Sequence, residues 1–480
     1  MTEPAASAAL LAPLAVLLGP DCVRTDAGEV APLLVDHRGL YHGRAAALIL
    51  PRTVAQVATT LAFCNTHRVG VVPQGGNTGY CGGATPDASG SQVIVSLSRL
   101  NRIRAVDPLN YSLTAEAGCR LVEVQQAAAA AERFFPLSLG SEGSCQIGGN
   151  LSTNAGGTGV LRYGMMRELV LGLEVVLPDG RVLERLTSLR KDNTGYDVKS
   201  LFLGAEGTLG IITAATLKLF PAIRSSATAF VAVASVQAAV QLLSVLRTHS
   251  GDRVSSFELM PRLAVDLTVQ HIPPAVDPLS ERHAWYVLCE LSSPRADEPL
   301  DTVLEEVLSQ ALGAGLVQDA AIAQNGREAA SFWFLRENIP RAQRLDGASL
   351  KHDISVPVAV LPQFVERAAA WITRHVSEGR LIAYGHVGDG NLHFNLNQDR
   401  RVPAATFLAR ADEVQRAIHE LVHEFGGSFS AEHGIGQAKV AELERYAPAV
   451  ELELMRSIKH AFDPNGIMNP GKVLKASVSA

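Results

Sequence analysis

The 480-residue sequence predicts an α+β protein of two domains with a helical C-terminal segment, and three observations carry that prediction. Short runs rich in β-branched residues alternate with stretches whose apolar residues recur at helical spacing. Glycines cluster in three places within the first 221 residues. After residue 222 the strands and amphipathic helices lengthen, the pattern of an antiparallel sheet with helices on one face.

Taken in order, the opening stretch MTEPAASAALLAPLAVLLGP is apolar but carries Glu3 and no basic residue before Arg24, so it reads as an amphipathic helix rather than a leader. AAALILP, VGVVPQGG, VIVSL and LEVVLPDGRVL read as strands, with the helix TVAQVATTLAFCNTHR between the first two. A first domain over residues 1–221 follows. ATAFVAVA, AWYVLCEL and LIAYGH then read as strands, and VQAAVQLLSVLRTH and LPQFVERAAAWITRHV as helices, giving a second domain over 222–402. Residues 403–480 read as mostly helical up to the Pro- and Gly-punctuated close HAFDPNGIMNPGKVL.

Composition removes several classes. The 42 Lys and Arg against 48 Asp and Glu give a net charge of −6, with no basic block or aromatic platform, so nucleic acid is not an expected partner. No stretch is long and apolar enough to span a bilayer. The 6 cysteines form no CxxC pair and read as free thiols of a reducing compartment, the cytoplasm.

The glycine clusters are PQGGNTGYCGG (Pro73 to Gly83), LGSEGSCQIGGNLSTNAGGTG (Leu139 to Gly159) and KDNTGYDVKSLFLGAEGTLGII (Lys191 to Ile212). Residues without a Cβ let backbone amides approach an anion, so a strand running into the first cluster suits a phosphate. Neither a Walker loop nor a Gly-x-Gly-x-x-Gly fingerprint is present. Three such clusters in one domain suit a large, planar, phosphate-bearing cofactor lying along the backbone.

These segments resemble the FAD-binding domain of the vanillyl-alcohol oxidase and p-cresol methylhydroxylase superfamily, built from two small α+β subdomains. The resemblance implies FAD contacts from Gln74, Gly75, Gly76, Asn77, Thr78 and Gly79 in the first cluster. In the second it implies Gly140, Gly143, Ser144, Gly148, Gly149, Thr153, Asn154 and Gly156, and in the third Glu206, Gly207, Gly210 and Ile211. Where members with covalent flavin often have a histidine, this chain has Asn77, so dissociable FAD is expected.

YGHVGDGNLHFNL, Tyr384 to Leu396, reads as a hairpin whose turn residues sit between two strands. Paired strands bring His386 and His393 opposite or nearly so, about 5 Å apart at Cβ. Two readings stand on these residues alone: imidazoles converging on a metal ion, or histidines hydrogen-bonding across a hairpin. In SAEHGIG, Glu432 and His433 supply a further ligand and a second pocket-facing group, because adjacent side chains diverge in extended backbone.

YGHVGDGNLH, SAEHGIG and the closing DPNGIMNPGKVL resemble the D-2-hydroxy-acid dehydrogenase branch of the same superfamily, over residues 40 to 474. That branch includes D-lactate, glycolate and D-2-hydroxyglutarate dehydrogenases. The resemblance implies that His386, His393 and Glu432 bind zinc or another divalent metal and that His433 is the base removing the substrate's hydroxyl proton. It further implies that the carbinol hydride passes to FAD, and that Asn469 reaches back to the flavin domain as the C-terminal segment closes over it.

Arg336 and Lys351, in FWFLRENIPRAQRLDGASLKHDISVPV, offer cations for a carboxylate. By the same resemblance they clasp the substrate with Asn395, which suits D-2-hydroxyglutarate. Pro340 departs from the pattern, standing where the best-known members have threonine, and leaves D-malate, D-lactate or glycolate as alternatives. A non-catalytic flavoprotein subunit of a larger oxidase is the alternative from another class. No nicotinamide site is visible, so an electron-transfer flavoprotein or a quinone is expected as acceptor, and a homodimer is one open assembly. HELVH, His419 to His423, matches a zincin pattern, but its helix places the histidines at the flank of an apolar stripe.

Overall fold

A computed structural model describes residues 8–475 except Pro20, and residues 1–7 of the expected N-terminal helix lie outside the described residues. The chain forms two compact units, one of Met1–Gly156, Met165–Ala222 and Glu432–Ala480, the other of Gly157–Gly164 and Ile223–Ala431. Residues 403–431 and 432–480, which the sequence reads as one segment, therefore fall to different units.

In the first unit, β1 (Val23–Arg24), β2 (Ala47–Ile49), β3 (Val71–Gln74) and β4 (Val93–Ser96) form a sheet in the order β1-β2-β4-β3. β2 and β3 both run parallel to β4, which requires a crossover between them. The helix Val54–His67 provides it. Thr53 caps its Gln56 N–H at 3.2 Å, and Val57, Leu61 and Cys64 bury one face at helical spacing. The N-terminal helix, described from Ala8 to Leu18, adds Leu11, Leu14 and Leu18 to the same core.

β5 (Ile103–Asp107) and β6 (Ser112–Glu116) are followed by β7 (Arg133–Phe134), β8 (Val170–Val176), β9 (Val182–Arg185), β10 (Ile211–Lys218) and β11 (Phe220–Pro221). Five of these strands make an antiparallel sheet in the order β5-β6-β10-β8-β9, and β7 pairs with β11. β8 and β10 are central and buried along nearly their whole length.

The second unit contains β12 (Ser225–Val233), β13 (Val254–Pro261), β14 (Trp285–Ser293) and β15 (Val317–Ile322), antiparallel in the order β13-β14-β12-β15. The antiparallel sheet is as expected, but helices cover both its faces rather than one. Ala229, Val231 and Val233 of β12 face a core shared with the helices Val236–His249, Leu300–Gly313 and Leu361–His375. Phe230 and Ala232 face a second core with Arg262–His271, Gly326–Glu337 and Ile339–Asp346. An unbroken apolar run such as Ala229 to Val233 in ATAFVAVA marks a strand buried on both sides.

β16 (Ser349–Leu350), β17 (Asp353–Ser355), β18 (Gly379–Tyr384) and β19 (Asn391–Gln398) form a second sheet around β19, with β18 on one edge and β16 and β17 on the other. An antiparallel bridge between Leu259 and Gly385 joins β13 to the end of β18. Among the described residues, no helix is long and apolar enough to cross a membrane.

Candidate functional site

In the first unit, the loop after β3 begins at Gln74, whose amide donates to the Leu33 and Ala84 carbonyls at 3.0 and 2.9 Å. Asn77 adopts φ 52° and donates to the Val35 carbonyl at 2.8 Å. A Cβ on Gly76 would lie 2.1 Å from the Ser144 carbonyl oxygen, so the first and second glycine clusters touch there. At Gly79, Gly140, Gly143 and Gly149 a Cβ would meet nothing within 4 Å. The clusters thus pack on one another and leave another face clear. Asn154, at φ 49°, takes the Arg167 N–H at 2.8 Å, and Thr153 donates to the Gly149 carbonyl at 2.9 Å.

Glu206, expected among the flavin contacts, turns its carboxylate to the backbone of the C-terminal segment. Its two carboxylate oxygens accept the backbone N–H groups of Ile435 and Gly436, each at 2.7 Å. Burial raises its pKa, against the pull of those two donors. Asn469, as expected, reaches back within this unit: its amide donates to the Gly83 and Glu206 carbonyls at 2.9 and 2.8 Å. Gly207 and Gly210 sit where a side chain would strike Pro73 and the Val176 carbonyl, and Ile211 opens β10. Buried oxygens of Gln74, Gln146, Asn150 and Asn469 have no hydrogen-bond partner among the described residues. Open glycine faces and orphaned acceptors in the same loops fit a large polar, planar ligand such as FAD.

The segment after Glu432 is laced to the first loop. Cys81 Sγ lies 3.3 Å from the Gly434 carbonyl, and the Gln437 N–H donates to the Cys81 carbonyl at 2.9 Å. His433 presents its ring edge-on to Tyr80, centroids 4.8 Å apart, and its Nε2 lies 3.8 Å from Glu432 Oε1.

In the second unit the hairpin forms, in a register other than the expected one. β18 and β19 place Tyr384, not His386, opposite His393. His386 lies beyond the strand end, because Gly385 leaves β18 to bridge Leu259, and its ring reaches within 5.6 Å of the His393 ring at 76°. On its other edge His393 pairs with Asp353, and the two offer ligand atoms within 4.8 Å of one another. The Ala431 N–H donates to the Asp353 carbonyl at 3.4 Å, which holds the last residue of this unit beside β17.

Glu258 of β13, to which the sequence assigned no chemistry, joins His386 to Arg336. It is 1% exposed. Its Oε1 lies 2.6 Å from His386 Nδ1, and its Oε2 accepts from Arg336 Nε at 2.8 Å and from an Arg336 terminal nitrogen at 2.7 Å. Burial pushes its pKa up, but His386 and Arg336 outweigh burial and hold it at about 2. Nearby Asp389 is pushed up to about 6 by burial, against the pull of His386.

Arg336 is buried, its guanidinium over the Tyr384 ring at 5.0 Å. Asn395, two residues from His393 and so on the same face of β19, donates to Gln343 Oε1 at 3.1 Å and accepts the His352 N–H at 3.3 Å. Lys351 is half-buried, directly after β16. Asp353 and His393 belong to a cluster of side chains that could hold a metal ion, and an imidazole whose Nδ1 faces a buried carboxylate, as that of His386 does, suits a metal ligand. His419 of HELVH is buried rather than at the helix flank, its ring against His352 at 5.7 Å and Phe429 at 5.5 Å.

Residues 45–185 match the family described as FAD binding domain, and residues 223–473 the family described as FAD linked oxidases, C-terminal domain. A probable D-2-hydroxyglutarate dehydrogenase, mitochondrial, of Oryza sativa subsp. indica is 40% identical over 464 residues, 96% of this chain and 81% of that protein. The chain belongs to the D-2-hydroxyglutarate dehydrogenase branch of the FAD-linked oxidase family. A D-2-hydroxyglutarate dehydrogenase of Xanthomonas citri pv. viticola is 36% identical over 429 residues, 89% of each chain. The fold is that of p-cresol methylhydroxylase solved with substrate bound, with TM-score 0.74 at 18% identity over 98% of this chain and 97% of that one. Family membership and fold are as the sequence resemblance implied. This FAD-linked oxidase is a flavoprotein enzyme, an oxidoreductase with FAD as its cofactor.

Two residues escaped sequence reasoning. Glu258 left a signal, as the one charge in the strand VSSFELMP. Asp353 left none, because its nearness to His393 depends on β17 pairing with β19.

Proposed function

We propose that this flavoprotein oxidises a D-2-hydroxy acid, D-2-hydroxyglutarate foremost, to the 2-oxo acid, with zinc or another divalent metal beside dissociable FAD. The observation that carries the reading is that Arg336 and His386 sit on the two oxygens of one buried carboxylate, Glu258. A cation for the substrate and a ligand for a metal are thereby neighbours.

Bound FAD would supply the acceptor for the carbinol hydride, and a bound metal ion would supply the charge that acidifies the substrate hydroxyl. The chain's own residues do the rest. His386, with Nδ1 turned to Glu258, offers Nε2, and His393 and Glu432 complete a three-ligand set that leaves a position open. His433 takes the hydroxyl proton on an imidazole nitrogen, the common role of a histidine base. Arg336, Lys351 and Asn395 hold the substrate's carboxylates. The open faces of Gly79, Gly140, Gly143 and Gly149 take the flavin dinucleotide.

The reading extends to an electron-transfer flavoprotein or a quinone as acceptor and to a homodimer. It keeps the reducing cytoplasm as the location, a reading supported by cysteines that are all buried and form no CxxC pair. A shorter substrate, D-malate or D-lactate, is the second reading, favoured by Pro340 in the first turn of the helix Ile339–Asp346, where no hydroxyl is available. A panel of D-2-hydroxy acids added anaerobically tests both. D-2-hydroxyglutarate bleaches the flavin fastest under the first reading, and bleaching that a chelator leaves untouched removes the metal from it.

A further inference from the structure

We propose that Glu258 is a positioning residue that couples the metal ligand His386 to the substrate cation Arg336, an inference that rests on the function proposed above. Backbone geometry fixes where Glu258 stands. The neighbouring Leu259 exchanges two hydrogen bonds with Gly385, N–H to carbonyl at 2.8 Å and carbonyl from N–H at 3.0 Å. Glu258 and His386 therefore flank a bridge between two strands and have little freedom to part.

The carboxylate divides its oxygens. One faces His386 Nδ1 at 2.6 Å, a contact that favours the tautomer protonated on that nitrogen, with the lone pair of a metal ligand on Nε2. The other takes the Nε edge of Arg336 at 2.8 and 2.7 Å, so the plane of the guanidinium is set by Glu258 on one edge and by the Tyr384 ring beneath it. A carboxylate this deeply buried needs charged partners. Here those partners are a metal ligand and a substrate anchor, so a change at one reaches the other through a single group.

The test uses the full-length, FAD-loaded protein. Zinc affinity is measured by competition with a chromophoric chelator on metal-stripped protein, and kcat and KM for D-2-hydroxyglutarate are measured separately. The variants are His386→Ala, Glu258→Gln and Glu258→Asp; the last keeps the charge Arg336 needs and withdraws the carboxylate by about 1.5 Å, so it decides the matter if Glu258→Gln does not fold. In both Glu258 variants zinc affinity is expected to fall roughly 10- to 100-fold, KM to rise by more than kcat falls, and FAD content to stay at the wild-type level. A merely structural glutamate would lower the unfolding temperature and leave zinc affinity and KM of the folded protein unchanged. Wild-type zinc affinity and KM in a folded Glu258 variant overturn the proposal. A wild type that takes up no zinc, or a His386→Ala variant that binds it as tightly as wild type, instead overturns the metal reading on which the proposal rests.

Discussion

Glu206 Oε2 accepts the Gly436 backbone N–H at 2.7 Å, while Oε1 takes that of Ile435 at the same distance. The buried carboxylate thus sets the backbone immediately beyond His433. Glu206→Gln turns one acceptor into a donor facing an N–H, and a lost hydrogen bond to a charged group costs about 2 kcal/mol. The expected result is a lower unfolding temperature and slower anaerobic flavin reduction at unchanged FAD content, read by calorimetry and stopped-flow absorbance.

A second prediction separates fold from cofactor. Gly149 lies in the short helix Ile147–Ser152, and a Cβ there would meet nothing within 4 Å. Gly149→Ala should leave the apoprotein as stable or about 0.5 kcal/mol more so, since alanine loses less backbone freedom than glycine. FAD affinity should fall, because the added methyl enters the face assigned to the flavin. Thermal unfolding of apoprotein and a fluorescence titration with FAD check the two halves independently.

The proposed base and the proposed ligands should part company. His433→Ala is expected to keep FAD and metal while reducing the flavin about 100- to 10,000-fold more slowly, the usual contribution of a general base. His386→Ala should lose metal. Metal analysis alongside single-turnover reduction distinguishes them, and unchanged reduction in His433→Ala removes that residue from its role.

Acid stability should depend on Asp346. Its carboxylate meets Arg380, lies 3.0 Å from an Arg400 nitrogen and accepts from Asn397 at 3.4 Å. Burial raises its pKa, but Arg380, Arg400 and the hydrogen bonds prevail and hold it below the usual carboxylate range. With the folded value below the unfolded one, the stabilisation is complete above the unfolded value and is lost as pH falls through the folded one. Asp346→Asn should therefore cost roughly 2 kcal/mol at pH 7 and progressively less as pH drops below about 4, measured by urea unfolding across that range.

Pro340→Thr is predicted to raise kcat/KM for D-2-hydroxyglutarate relative to D-malate by about 5- to 10-fold, the worth of one hydrogen bond. Proline in a first helical turn forfeits no intrahelical bond, so stability should change little. The ratio of the two substrates' kcat/KM values decides it.

Much of the fold was legible because its signals are local. ATAFVAVA, AWYVLCEL and LIAYGH became β12, β14 and β18, and VQAAVQLLSVLRTH became the helix Val236–His249, since period and composition act within a few residues. Helix cover on the second face of β12 was not legible. It depends on Arg262–His271 and Gly326–Glu337 folding back onto the sheet, which no window around the strand contains.

The site divides in the same way. The chemistry-bearing residue types, the two hairpin histidines, the Glu432–His433 pair and the glycine clusters were set out by the sequence itself, because ligands and turns need particular side chains and φ values. Tertiary structure alone decided how they are held. It moved His386 out of register with His393, turned Glu206 onto the backbone beyond His433, and set Glu258 between His386 and Arg336. Those placements are contacts across 128 and 78 residues of chain at Glu258, and 230 at Glu206. They arise from strand pairing and the burial of charge, forces that act only once distant segments have met.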